Sequence, residues 1–225
     1  MPTMKTPPRR VTNASIDQII RTLKTTIRQW TPPVMDRYKD DPFATLIGCL
    51  LSLRTQDATT FGACQRLFAL ARTPETLLAL PLPELERLIY PVGFYRTKAR
   101  TLRGVCEALI QRHQSRVPDT LDELLALDGV GRKTANLVVT LAFGKPGICV
   151  DTHVHRITNR WGYVKTNTPD ETERALREIL PRRHWRILND LLVTFGQHLC
   201  RPTSPWCSRC PVERACAKVG VTRAR

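Results

Sequence analysis

Apolar positions in this chain recur at helical spacing almost from end to end. Ile16, Ile19, Ile20, Leu23, Ile27 and Trp30 fall on one face, three and four residues apart as an amphipathic helix requires. Ser15 with Gln18 has the form of a capping box ahead of that run, and Pro32–Pro33 supplies its stop. Asp41–Pro42 opens a second helix, apolar on nearly every side and therefore central to a core. Thr73–Pro74 opens another, and Tyr95 to about His113 reads as a long basic helix with Arg96, Lys98, Arg100 and Arg103 exposed. Thr120 with Glu123, and Thr168–Pro169 with Glu171, are further capping boxes. No stretch alternates with period two for a strand's length, so the expected class is all-α. No repeat, low-complexity segment or obvious linker cuts the chain.

A length of 225 residues allows one large domain or two small ones, and 42% hydrophobic residues allow folding without staples. Lys and Arg number 35 against 20 Asp and Glu, giving a formal charge of +15 spread along the chain. That excess favours a polyanion, because neutralising phosphates releases their condensed counterions. A membrane is not expected: no basic amphipathic helix of the membrane-lying kind occurs, and the apolar run Phe43–Leu53 is far too short to span. Met1 to Ser15 carries Lys5, Arg9 and Arg10 but neither the apolar core nor the cleavage pattern of an export signal. Residues 1–14 are accordingly expected to be a disordered basic tail, and the protein an intracellular one, in cytoplasm or nucleoid.

The eight cysteines divide unevenly. Cys49, Cys64, Cys106 and Cys149 are scattered among apolar residues, whereas Cys200, Cys207, Cys210 and Cys216 form a Cys-x6-Cys-x2-Cys-x5-Cys group. In an intracellular chain such a group binds metal rather than forming disulfides. Spacing alone leaves two readings: zinc, which usually takes two short Cys pairs, and an iron–sulfur cluster, which the uneven arms suit. Either is structural rather than redox-catalytic.

A second motif is Leu127-Asp128-Gly129-Val130-Gly131-Arg132-Lys133-Thr134-Ala135. Gly129, Val130 and Gly131 join a short helix to a longer one, and the turn lets backbone N–H groups approach a phosphate at a positive helix terminus. Between short helices in a basic chain this suggests a helix-hairpin-helix that grips DNA backbone, with Arg132 beside it. Lys133 lies in the first helical turn, where the dipole disfavours its charge and a partly desolvated amine can act as a nucleophile. Taken alone, a solvated lysine touching phosphate is the simpler reading. Asp151 precedes Thr152-His153-Val154-His155 and is most simply an N-cap, a role compatible with catalysis. His153 and His155, two apart on a helix, point to different faces and are not read as ligands.

Taken together these residues resemble the endonuclease III family of helix-hairpin-helix DNA glycosylases. The resemblance runs from about Ser15 to Cys216. It rests on the hairpin motif, on the Val150-Asp-Thr-His segment eighteen residues beyond Lys133, on the cysteine loop, and on Pro91-Val-Gly-Phe-Tyr95 and Leu50-Leu-Ser52. It implies a six-helix barrel over 33–145 carrying the hairpin. A cluster module then combines 15–32 with 146–225 and holds a 4Fe-4S cluster on Cys200, Cys207, Cys210 and Cys216. It also implies a monomer acting on double-stranded DNA with a damaged base or abasic site, excising oxidised pyrimidines and nicking the strand by β-elimination. Lys133 would be the Schiff-base nucleophile and Asp151 the carboxylate that steadies charge on the sugar.

Three departures from the family pattern stand out. Asp128 replaces a usual proline, Arg54 stands where glutamine is common as a wedge into DNA, and the arm from Cys200 to Cys207 carries one cation, Arg201. The competing readings are a monofunctional mismatch glycosylase, which would not need Lys133, and a non-catalytic DNA-binding module stapled by metal, which would leave Lys133 and Asp151 idle.

Overall fold

The computed structural model describes residues 10–30 and 37–225. Every α or 3-10 segment among them is helical and none is a strand, so the all-α expectation holds. Eleven α-helices follow in order: α1 Ile16–Ile27, α2 Pro42–Ser52, α3 Asp57–Phe68, α4 Pro74–Ala79, α5 Leu82–Ile89, α6 Tyr95–His113, α7 Leu121–Leu125, α8 Arg132–Leu141, α9 Thr152–Arg160, α10 Pro169–Ile179 and α11 Trp185–His198. The chain forms two compact units, one spanning Pro33–Cys149 and the other comprising residues up to Pro32 together with Val150–Arg225. No helix among the described residues is long and apolar enough to cross a membrane.

In the Pro33–Cys149 unit, α2 is the central element. Nine consecutive residues, Phe43 to Leu51, are buried, and α3, α6 and α8 pack around it. Asp41 starts it by accepting the Ala44 amide at 2.9 Å, and Pro42 occupies a first-turn position that needs no N–H. Leu46, Ile47, Leu67, Leu77, Leu85 and Ile89 are fully buried together in this core. The reciprocal capping box forms at Thr73, closed by Thr76. At Thr120 and Thr168 only the forward half forms: each hydroxyl accepts an amide from the glutamate three residues on. The glutamates turn elsewhere, Glu171 to the Asn167 amide and Glu123 to the Thr120 hydroxyl.

The face of α6 departs from expectation. Arg96 and Arg100 are exposed, but Lys98 is 9% exposed and Arg103 half-buried. Arg103 donates to the carbonyls of Leu78 and Leu80, which end α4. Both cations are drawn in because helix and loop ends present carbonyls that only a donor can satisfy.

In the other unit α1 packs on α11, and α9 on α10 and α11, around Ile16, Ile20, Leu23, Trp161 and Phe195. The expected tail over 1–14 needs correction for its described part. Val11 is 2% exposed and its amide donates to the Trp161 carbonyl at 3.0 Å, while Asn13 accepts from the Tyr163 hydroxyl at 2.8 Å. Residues 1–9 lie outside the described residues. The Ser15–Gln18 box does not form: the Ser15 hydroxyl is used one turn earlier, accepting from the Thr12 amide and donating to its carbonyl. α1 ends at Ile27 rather than running to the prolines, and Trp30 stacks instead on His198 at 4.5 Å. Pro32 and Pro33 lie outside the described residues. Asp17 ties α1 to Arg183 and His184, 166 and 167 residues on.

Candidate active site and cysteine loop

α7, the turn after it and α8 form the hairpin. Gly129 has φ +85, and a Cβ there would stand 2.5 Å from the Thr101 methyl of α6. Handedness and space both demand glycine. Val130 is buried at 6% exposure and its amide donates to Leu127, so the turn is pinned from inside. Gly131, the N-cap of α8, is exposed, with open space where a Cβ would lie. Arg132 is half-buried and Lys133 exposed in the first turn. The Lys133 carbonyl lies 3.6 Å from the Cys149 thiol, which ties the start of α8 to the end of its own unit. In the chain by itself Lys133 is therefore not desolvated in the way its motif suggested.

Asp151 is the second residue of the Val150–Arg225 segment of the other unit. It caps α9 as expected, with Oδ1 accepting the His153 and Val154 amides, both at 2.9 Å. The histidines part company: His153 Nδ1 meets Arg156 at 3.0 Å, whereas His155 Nδ1 meets the Thr172 hydroxyl at 2.7 Å. They do not form a ligand pair.

Arg54 lies in the turn between α2 and α3, exposed, with φ +53. Its guanidinium sits 5.8 Å from the ring centroid of Phe94, itself 64% exposed with φ +59. Left-handed backbone at two such residues costs about 1–3 kcal/mol each and persists only where surroundings enforce it. Around Arg54, Lys98 donates to the carbonyls of Leu51 and Leu53 and to Thr55 Oγ1. Burial pulls the Lys98 ammonium down to about 8, while its three oxygen acceptors favour the charged form. Neither Phe94 nor Lys98 was marked as a site residue by the sequence. Gln56, two residues beyond Arg54, is the exposed N-cap of α3.

Cys200, Cys207, Cys210 and Cys216 line one cavity of ≈ 380 Å³ that opens to solvent, walled by Trp206 and Val221 among others. None of the eight cysteines is in a disulfide; these four are partly exposed, whereas the four scattered ones are buried. Burial raises Cys210 to about 12 and pushes Cys216 and Cys207 up as well, with the neighbouring cysteines adding to it. Four thiolates here require a cationic group among them, so the donor set fits a metal centre. Among the described residues no three His, Cys, Asp or Glu side chains converge tightly enough for a single ion. Arg160 donates to Cys200 Sγ at 3.5 Å and to the carbonyls of Arg201 and Pro202. Arg156 donates to the Cys200 carbonyl at 3.0 Å. Two arginines of α9 thus bind the loop to the helix that Asp151 caps.

A profile of the HhH-GPD superfamily of base excision DNA repair proteins matches residues 47–182. Endonuclease III of Thermotoga maritima is 47% identical over 176 residues, which are 78% of this chain and 83% of that enzyme. This chain belongs to the endonuclease III family. The fold agrees: a solved endonuclease III–DNA covalent intermediate with an estranged adenine superposes with a TM-score of 0.83 at 37% identity, covering 92% of this chain and 96% of that one. A thermostable thymine-DNA glycosylase superposes at 0.79 with 26% identity, covering 91% and 96%. As a member of the endonuclease III family the chain is a base excision repair enzyme, a DNA glycosylase with abasic-site lyase activity.

Proposed function

We propose that Lys133 and Asp151 carry this chemistry on double-stranded DNA bearing an oxidised pyrimidine or an abasic site, in an intracellular, monomeric enzyme. The observation that carries the reading is the exposed amine of Lys133 on the first turn of the hairpin's second helix. A relative of the same fold has been trapped as a covalent DNA intermediate, which supports an amine nucleophile. The target nucleotide leaves the stack, because its C1′ is out of reach inside a duplex. Gly129 to Arg132 hold the backbone through amides and the positive end of α8. Asp151 steadies the positive charge that develops on the sugar as the glycosidic bond breaks. The flipped nucleotide covers Lys133, supplying the desolvation that the free chain lacks. The neutral amine attacks C1′ and the base departs with the bonding pair; the C1′–O4′ bond then breaks, O4′ keeping its electrons and taking up a proton as the C4′ hydroxyl, and the opened sugar is left as a Schiff base on Lys133. Its positive nitrogen acidifies C2′–H, and loss of that proton expels the 3′ phosphate. Arg54 meets the orphaned base; as a donor-only fork it favours a base offering acceptors, above all guanine.

Cys200, Cys207, Cys210 and Cys216 hold a 4Fe-4S cluster. A single cavity lined by all four cysteines, together with the uneven Cys-x6-Cys-x2-Cys-x5-Cys spacing, supports this over zinc. The cluster supplies structure rather than redox chemistry, and Arg156 and Arg160 pass that order to α9.

A mismatch glycosylase, the class of the thymine-specific neighbour, needs only the carboxylate; Lys133 is what a lyase step adds. The test is a panel of lesion-bearing duplexes with and without borohydride, on protein assayed for metal. Base excision with strand nicking, a trapped adduct and about four irons per chain are expected. Base removal without nicking would favour the monofunctional reading, binding without excision a non-catalytic module, and stoichiometric zinc would overturn the cluster.

A further inference from the structure

Lys98 enters the core from the first turn of α6, a place where a lysine is normally solvated. Its ammonium donates to the Leu51 carbonyl at 2.7 Å, to the Leu53 carbonyl, and to Thr55 Oγ1 at 3.1 Å. These acceptors bracket Arg54 on both sides. Thr55 Oγ1 also accepts the Gly93 amide at 3.2 Å, and Gly93 lies so close that a Cβ would stand 2.8 Å from the Arg54 carbonyl. Arg54 and Phe94, both in the left-handed region, meet outside this knot. One buried amine therefore holds the turn that carries Arg54 directly, and Thr55 links that turn to the one that carries Phe94. Capping α2 would need only the Leu51 bond. The bonds to Leu53 and Thr55 fix the residues on either side of Arg54.

We propose that Lys98 is a positioning residue for interrogation of the opposite base: it locks the 53–55 turn in the one form that presents Arg54 to the gap left by the flipped nucleotide. The inference rests on the reading of Arg54 given above. Three donors on a compact head match three oxygens in different directions, a task that neither a neutral side chain nor a planar guanidinium performs. Methionine in its place fills the volume but takes the donor away from the buried Leu51 carbonyl and the part-buried Leu53 carbonyl.

The experiment uses the full chain with its metal as purified, in wild-type, Lys98→Met and Arg54→Ala forms. Single-turnover excision of one lesion is measured opposite each of the four bases. Trapping is measured on an abasic nucleotide in single-stranded DNA, which has no opposite base. Lys98→Met is expected to slow duplex excision roughly tenfold to hundredfold, the scale of an ångström-sized misplacement. Its opposite-base profile should flatten as that of Arg54→Ala does, with a much smaller loss on the single strand. A Lys98→Met enzyme that keeps the wild-type profile, while Arg54→Ala loses it, overturns this proposal alone. A wild-type profile in Arg54→Ala overturns the Arg54 reading and this proposal with it. Should Lys98→Met not fold, Thr55→Val removes one acceptor and the Gly93 link, and the same profile decides.

Discussion

At Asp151 one carboxylate oxygen takes both first-turn amides of α9, so the side chain that would face a developing cation is held by the backbone beside it. Asparagine caps a helix about as well as aspartate but carries no charge. Asp151→Asn should therefore cost at most about 1 kcal/mol of stability, through the lost dipole interaction, yet slow excision by at least about a hundredfold. Urea midpoints and single-turnover rates measured on one preparation separate the two; a wild-type rate would leave Asp151 only a cap. The Asp151 cap and the hairpin turn at Gly129 were legible in the sequence because each is written locally, in a cap or a turn a few residues long. Lys98 was not. Its acceptors lie 43 to 47 residues upstream, and on a helix as basic as α6 it is indistinguishable from its solvated neighbours.

Among elements, the hairpin depends on α6 as much as on its own two helices, because Gly129 presses against Thr101. Gly129→Ala combines a left-handed backbone with a Cβ overlap and should cost about 1–3 kcal/mol or more. Thermal unfolding would read the loss, and affinity for undamaged duplex should fall with it; unchanged values for both would mean the turn is not what seats the backbone. Helix starts were read well where an aspartate or threonine caps at once, as at Asp41, Thr73 and Asp151. The start at Ser15 was misread because its hydroxyl serves Thr12 in the preceding turn, a choice that spacing does not reveal. The link from α9 to the cysteine loop through Arg156 and Arg160 was equally hidden, since it joins residues about 40 apart.

For the whole molecule, the charge of +15 sets a binding constant that falls steeply with salt, and long-range ties hold distant parts of the chain together. Asp17 is one such tie. Hydrogen bonds from Arg183 and His184 hold its carboxyl down at about 2, against an ordinary 3.8. Its folded value is depressed, so its contribution is present above pH 3.8 and is lost as pH falls through about 2. Wild type should thus be more stable than Asp17→Asn at pH 6, with the difference between their urea midpoints shrinking below pH 4 and vanishing near 2; a difference independent of pH would remove the carboxylate from the account. One amine, that of Lys133 on the first turn of α8, is expected to make the covalent bond to DNA. The direct measurement is borohydride trapping on an abasic duplex by wild type and Lys133→Ala. An adduct in wild type and none in the variant, with duplex binding retained, is the predicted result; undiminished trapping by Lys133→Ala would contradict it and place the nucleophile elsewhere in the chain.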